Sequence, residues 1–201
     1  ERHLHADLAL ALCLDSQRGL RDDLKILVMS ATLDGAAVSR LLNNAPIITS
    51  EGRSYPVDVH YLARDPEGRL PDVVAQAIQR ALAEHEGDVL AFLPGAWEIR
   101  RTQSHIESTL RNSNVDIYPL YGDLPWEQQE RAIRPGGAAG RRKVVLATPI
   151  AETSLTIDGV RVVVDSGYAR VPQFEPKSGL SRLVTQRISR ASAEQRAGRA
   201  G

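Results

Sequence analysis

The sequence predicts an α/β fold in which a parallel sheet is flanked by helices, and two observations carry this prediction. Four short apolar runs with little polar alternation punctuate the chain, at residues 26–29, 89–93, 144–147 and 162–164. Such runs are typical of strands that are buried on both faces of a parallel sheet. Helical patterns lie between the last three runs, and strands that alternate with helices form βαβ units.

The helices are predicted from their start and stop signals. Pro71 suits the first turn of one helix, and Gly87 lies just past its end. The apolar side chains of this helix recur at helical spacing: Val74, Ala77, Ile78, Ala81 and Leu82. We expect further helices near residues 35–42, over 96–110, and from Pro125 to about Ile133.

Composition excludes several classes of protein. No run of 18 or more apolar residues exists, so we expect no membrane span. A single cysteine, Cys13, excludes an internal disulfide framework and favours a reducing compartment, so we expect a cytoplasmic protein. No His/Cys cluster has the spacing of a metal site. The first residue, Glu1, is not Met, and we therefore expect a piece of a longer protein.

The neutral net charge conceals a polarised chain. Residues 140–201 carry eleven basic and five acidic side chains, a net charge of +6, which leaves −6 for residues 1–139. The basic part suits a nucleic-acid partner, because cationic side chains replace the counterions of phosphates.

Two segments interrupt the alternation of strands and helices. The polar, turn-rich stretch 48–56 is a candidate linker, and it divides the chain into domains at 1–50 and 54–201. The glycine-rich stretch 134–140 precedes a strand, whereas a phosphate loop follows a strand and opens a helix. We therefore interpret it as a flexible connection.

Hydroxyl side chains follow two of the predicted strands. Ser30 and Thr32 come after the first run, where α/β folds bind ligands, although this segment taken alone favours a turn in which Thr32 or Asp34 caps the next helix. Four more hydroxyls fall within nine residues after the third run, and they suit phosphate or ribose: Thr148, Thr153, Ser154 and Thr156. The alternative is a polar loop whose hydroxyls bind their own backbone.

Two arginines stand near the end of the chain, at Arg196 and Arg199, among small residues. Guanidinium groups there can stabilise the charge that develops in phosphoryl transfer. The alternative is a solvated, basic helix end.

The order of these segments points to a family. Ser-Ala-Thr at 30–32, Phe-Leu-Pro-Gly at 92–95, Leu-Tyr-Gly-Asp-Leu-Pro at 120–125, the run from 147 to 159 and Gln-Arg-Ala-Gly-Arg-Ala-Gly at 195–201 follow one another. Together they resemble the DEAH-box group of superfamily 2 helicases, and most closely its bacterial HrpB type. The resemblance covers essentially the whole chain.

The resemblance implies a RecA-like P-loop NTPase fold in which two domains clamp ATP and Mg²⁺ while nucleic acid crosses them. Residues 1–50 would then complete the first domain, and residues 54–201 would form most of the second. RNA is the expected partner, with single-stranded DNA as the alternative. The phosphate-binding Lys and the Mg²⁺-binding Asp-Glu pair of the family would lie upstream of Glu1, so we expect no ATPase from this chain alone.

Roles for individual residues follow from the resemblance alone. It implies that Ser30 and Thr32 couple hydrolysis to unwinding, that Gln195 faces the γ-phosphate, and that Arg199 is an arginine finger. The implied nucleotide contacts are Thr156, Asp158 and Arg196. The implied nucleic-acid contacts are Gly95, Gly122, Thr148, Thr153 and Ser154. Between Asp165 and Ser189 the family carries a β-hairpin that helps to separate strands, and the sequence agrees, with strands at 170–174 and 181–187 around a turn at 176–179.

Two positions depart from the family pattern. Pro149 replaces an Asn and removes a backbone donor beside Thr148. Ile133 stands where relatives outside the HrpB type stack an aromatic ring on adenine, and we therefore expect weak preference among nucleoside triphosphates. A helicase fold that survives as a non-catalytic nucleic-acid-binding module is the alternative function, and a DNA translocase is a third hypothesis.

Overall fold

The computed structural model describes residues 4–29, 35–49, 55–64, 66–110, 114–136, 140–153 and 155–200, without the side chain of Thr153. The chain divides into two compact units, Glu1–Arg53 and Ser54–Gly201. The division falls inside the polar stretch 48–56 that the sequence marks as a linker.

The first unit contains helices α1 (Leu4–Gly19) and α2 (Gly35–Leu41), and the second of these confirms the helix expected near 35–42. The prediction of a strand at residues 26–29 is wrong. These residues form no strand, and Leu27 and Met29 are exposed. A strand needs a hydrogen-bonded neighbour, and the described residues of this unit contain no other strand.

The second unit alternates helices and strands, as predicted, but it also contains a strand at Val115–Leu120 that the apolar runs did not predict. Its elements are α3 (Leu70–Glu84), β1 (Asp88–Phe92), α4 (Ala96–Thr109), β2 (Val115–Leu120), α5 (Trp126–Ile133), β3 (Arg142–Ala147), α6 (Ile150–Thr153), β4 (Val160–Asp165), β5 (Tyr168–Glu175), β6 (Leu180–Arg187) and α7 (Arg190–Ala197), followed by a short 3-10 turn, Gly198–Ala200. The helices predicted from Pro71, over residues 96–110 and from Pro125 are confirmed, and their first residues agree within one residue.

A parallel sheet with the strand order β2-β3-β1-β4 forms the centre of this unit. Alternate residues of β1 point to opposite faces: Val89 and Ala91 pack on one face with helices α3 and α4, whereas Leu90 and Phe92 pack on the other with α5 and α6. Both faces are therefore apolar, as the short apolar runs predict. The prediction that residues 162–164 are buried on both faces is wrong in part. Strand β4 has only β1 as a neighbour in the described sheet, and it is half-buried.

The predicted hairpin is confirmed and is longer than expected. Strands β5 and β6 pair in antiparallel register from Tyr168 opposite Arg187 to Glu175 opposite Leu180. Gly179 closes the turn with φ of 69°, a left-handed conformation that glycine adopts without steric cost. Among the described residues, no helix is long and apolar enough to cross a membrane.

Candidate nucleotide and nucleic-acid sites

Three of the predicted nucleic-acid contacts lie at the carboxyl edge of the sheet. Gly95, Gly122 and Thr148 follow the adjacent strands β1, β2 and β3. Hydrogen bonds join the strand ends: the Thr148 amide donates to the Leu120 carbonyl (3.0 Å), and the Leu93 amide donates to the Ala147 carbonyl (2.8 Å). Ligands of open α/β sheets bind at this edge. The fold therefore brings these three residues to one place.

The two glycines of this edge differ in their surroundings. A Cβ atom at Gly95 would lie 2.8 Å from Cζ of Arg170, so the guanidinium group fills the space that the missing side chain leaves. Gly95 is also buried, and the structure thus gives its small size a reason that the sequence did not suggest. At Gly122, by contrast, a Cβ atom would meet nothing within 4 Å. Gly122 leaves open surface that a nucleic-acid backbone can approach.

Several predicted residues lie outside the described part of the chain. They are Ser30, Thr32 and Ser154, together with the side chain of Thr153, whose backbone ends α6. Their assigned roles stay predictions.

A cavity of about 240 Å³ brings together three of the residues predicted for the nucleotide, namely Thr156, Asp158 and Arg199. Its apolar wall includes Leu90 and Ala151, and the cavity lies on the α5 and α6 face of the sheet. Complete ligand pockets have volumes of about 300–1,000 Å³. The cavity is therefore smaller than a complete ligand pocket, and a Thr, an Asp and an Arg are among the residues that line it.

The guanidinium group of Arg199 is bound by backbone carbonyls. Its Nε and Nη2 atoms donate to the Glu152 carbonyl, the former at 2.9 Å, and Nη1 donates to the Leu155 carbonyl at 3.0 Å. These carbonyls belong to the segment that leads from α6 into the cavity wall. A phosphate that approaches Arg199 would have to compete with them for the same donors.

Arg196, by contrast, is not among the residues that line the cavity. Its side chain is 0% exposed. Nε donates to Glu152 Oε2 (3.0 Å), Nη1 donates to Asp165 Oδ1 (2.8 Å) and to the Tyr168 carbonyl (3.3 Å), and the guanidinium lies 4.9 Å from the ring centre of Phe92. A guanidinium enclosed by two carboxylates and a ring favours a structural role, and contact of Arg196 with the nucleotide stays a prediction. The two arginines differ because Arg196 belongs to α7, whereas Arg199 belongs to the 3-10 turn that follows it.

Gln195 lies half-buried on α7 and does not line the cavity. Ile133 ends α5 and is also absent from the residues that line the cavity. Among the described residues, no group of three His, Cys, Asp or Glu side chains is placed to hold a metal ion. Contact of Gln195 with a phosphate stays a prediction.

Sequence reasoning missed three acidic residues that form ion pairs with arginines. Glu152 and Asp165 bind Arg196, and Glu98 binds an arginine of the hairpin. Glu98 forms an ion pair with Arg170 (3.1 Å), which joins α4 to the hairpin. The partners in these pairs are 31 to 72 residues apart along the chain. A single sequence contains no signal for pairs at such separations.

The matches to known proteins agree with this arrangement. Residues 71–201 match the model of the helicase conserved C-terminal domain. The chain belongs to this helicase family. It is 54% identical over all its 201 residues to the ATP-dependent RNA helicase HrpB of Escherichia coli K12 and covers 25% of that protein.

Two solved structures superimpose on the whole chain. They are described as the E. coli DExH-box NTPase HrpB (TM-score 0.86) and the E. coli DEAH/RHA helicase HrpB (TM-score 0.88), each 54% identical. The chain covers 24% and 25% of those two chains. It thus spans about a quarter of the length of these relatives, and the resemblance to the DEAH-box group and its HrpB type is confirmed.

Proposed function

We propose that this chain is part of an NTP-dependent helicase that couples ATP hydrolysis to translocation along RNA and to unwinding. Residues 1–50 would complete a first RecA-like domain, and residues 54–201 would form most of the second. The observation that carries the proposal is the cavity shared by Thr156, Asp158 and Arg199. These residues come from two separate segments, and the family resemblance had assigned all three to the nucleotide.

The chemistry of the cavity suits a nucleoside triphosphate. A carboxylate and a hydroxyl can bind the ribose or the hydrolytic water, and a guanidinium can bind a phosphate bidentately. ATP bound with Mg²⁺ supplies the phosphoryl group that is transferred. Within this chain, Thr156 and Asp158 orient the nucleotide, and Arg199 leaves its carbonyl partners to stabilise the charge on the γ-phosphate.

The carboxyl edge of the sheet would bind the nucleic acid. Gly122 offers open surface there, and the half-buried Thr148 lies beside it on the neighbouring strand end. Hydroxyl groups and backbone amides bind phosphates without regard to base sequence, which suits an enzyme that moves along a strand. RNA is the proposed substrate, since the relative of 54% identity is named an RNA helicase.

The test is a nucleotide hydrolysis assay of the full-length protein with RNA, with DNA and with neither. We expect RNA to raise the rate of ATP hydrolysis and DNA of the same sequence to raise it less. UTP should be hydrolysed at a rate comparable to that of ATP, because Ile133 offers no aromatic ring to the base. The 201-residue chain serves as the control, and it should hydrolyse none of these substrates.

Three outcomes would contradict parts of the proposal. RNA binding without hydrolysis by the full-length protein would support the non-catalytic module instead. Equal stimulation by DNA would support a DNA translocase, and strict selectivity for ATP would contradict the inference from Ile133.

A further inference from the structure

Arg196 joins three elements that the proposed function uses separately. Its ion pairs reach Glu152 on α6 and Asp165 at the end of β4, and a third hydrogen bond reaches the Tyr168 carbonyl at the start of the hairpin. Arg196 itself belongs to α7, which leads to Arg199. One side chain therefore contacts the start of the hairpin and the helices α6 and α7 on the side of the cavity.

The contacts of Asp165 fix the point from which the hairpin begins. Its Oδ1 atom accepts hydrogen bonds from Arg196 Nη1 (2.8 Å) and from the Gly167 amide (2.9 Å). Gly167 has φ of 75°, so the chain turns sharply between β4 and β5. A shift of the Arg196 guanidinium would therefore displace the turn that sets the direction of the hairpin.

Glu152 connects the same cation to the proposed finger. Its carboxylate binds Arg196 (3.0 Å) and accepts a hydrogen bond from Ser192 Oγ (2.6 Å), whereas its backbone carbonyl binds Arg199. If Arg199 turns towards a phosphate, Glu152 loses that partner at its carbonyl while its side chain still holds Arg196. Release of Arg199 thus removes a hydrogen bond from Glu152, the residue that anchors Arg196.

A contribution to folding stability is a weak reason for burying the cation of Arg196. Desolvation of buried charges offsets much of their attraction, and apolar replacements of buried ion pairs are often equally stable. What two ion pairs and a hydrogen bond provide is a defined geometry among their partners. Phe92 at the end of β1 packs on the guanidinium and restricts it further.

We propose that Arg196 is a positioning residue that links the proposed nucleotide finger to the hairpin. Through Glu152 and Asp165 it holds α6, α7 and the base of the hairpin in one arrangement, so that movement of Arg199 is transmitted to the hairpin. The inference rests on the proposed function, since it assigns the link between hydrolysis and strand separation.

The test compares Asp165→Asn, Arg196→Lys and Arg196→Met in the full-length protein. Asn at 165 keeps an oxygen for the Gly167 amide but removes the charge that binds Arg196. Arg190→Met is the matched control, because Arg190 is exposed and begins the same helix. The measured quantities are kcat and KM for ATP with RNA present, the number of base pairs opened per ATP hydrolysed, and the melting temperature.

We expect Asp165→Asn to keep kcat and KM for ATP near their wild-type values while the base pairs opened per ATP fall about fivefold or more. Arg196→Lys should keep more of this ratio than Arg196→Met, because it retains the positive charge. The control variant should match the wild type in every measurement.

A purely structural role would lower hydrolysis and unwinding in the same proportion, together with the melting temperature, and this result would overturn the inference. Arg196→Lys could instead raise the KM for ATP more than about tenfold and leave the base pairs opened per ATP unchanged. This result would indicate that Arg196 acts at the nucleotide site, and it would overturn the inference as well. A wild-type protein without RNA-stimulated hydrolysis or unwinding would overturn the proposed function itself.

Discussion

The surroundings of each guanidinium group determine what that arginine can do. Arg196 and Arg199 are three residues apart, and the resemblance to the family had placed both at the nucleotide. Arg196 is bound by two carboxylates, whereas Arg199 is bound by neutral carbonyls. The carboxylates compensate the positive charge of Arg196, whereas neutral carbonyls leave the charge of Arg199 available to an anion. Arg199 is therefore the arginine that a phosphate can recruit.

Lys143 is a second buried cation, at the start of β3. Its side chain is 0% exposed, and Nζ donates to the Arg134 carbonyl at 2.8 Å. Burial lowers the pKa of Lys143 below its ordinary value of 10.5, although the charges of Asp88 and Asp158 oppose part of this shift. The protonated amino group is thus less favoured in the folded chain than in the unfolded chain.

This shift predicts a pH dependence of stability. Between the depressed pKa of the folded chain and 10.5, the unfolded chain binds more protons at Lys143. The free energy of unfolding gains a contribution that rises with pH across this window and is lost as pH falls through the folded pKa. Lys143→Met should remove this contribution, because methionine does not titrate.

The measurement is urea unfolding of the wild type and of Lys143→Met at several pH values from about 8 to 10.5. Groups common to both proteins cancel in the difference between them. We expect the wild type to gain stability relative to the variant as pH rises. A difference that stays constant with pH would contradict the prediction.

Local patterns predicted most elements of the second unit. Pro71, Gly87 and the apolar spacing defined α3, and the apolar runs at 89–93 and 144–147 defined β1 and β3, because these signals act within a few residues. The run at 26–29 failed because a strand forms only where a neighbour pairs with it. The half-burial of β4 was missed for a related reason, since the order of strands in the sheet is not a local property.

An ion pair joins the hairpin to α4. Arg170 on β5 lies above Gly95 and binds Glu98, whose side chain is only 12% exposed. The other carboxylate oxygen of Glu98 is buried, with no hydrogen-bond partner among the described residues. The carboxylate therefore depends on Arg170 for compensation of its charge.

We predict that Arg170→Met lowers the free energy of unfolding by about 1–3 kcal/mol, because it leaves a desolvated carboxylate unpaired. The combination of Arg170→Met with Glu98→Gln should cost less than the sum of the two single changes, with a coupling energy of about 0.5–3 kcal/mol. Urea denaturation of the four proteins measures this cycle.

Arg182→Met is the matched control for this cycle. Arg182 lies on β6 and pairs with Glu175 at 4.0 Å in an exposed position. Its loss should cost less than about 1 kcal/mol, as for other exposed ion pairs. If Arg170→Met and Arg182→Met have equal effects, the anchoring of the hairpin by Arg170 is contradicted.

At the scale of the whole molecule, the long ordered motifs identified the family, and the neutral net charge misled. The basic excess of residues 140–201 coincides with the hairpin, Arg196 and Arg199, which are the parts that we propose to contact phosphates or to hold those contacts in place. The motifs placed Thr156, Asp158 and Arg199 at one site, and the structure brings them into one cavity. The motifs did not show which arginine is buried, since that depends on carboxylates distant in sequence.

The proposed helicase activity requires that, in the whole protein, Arg199 reaches the nucleotide that the remainder of the site binds. The most direct test is RNA-stimulated ATP hydrolysis by the full-length protein and by its Arg199→Ala variant, with Arg190→Met as the control. An arginine finger contributes about 10³-fold or more to kcat, so we predict a loss of that order in Arg199→Ala with little change in the KM for ATP. Hydrolysis by Arg199→Ala at the wild-type rate would contradict the assignment of Arg199 and, with it, the account of this chain as the part of a helicase that supplies the finger.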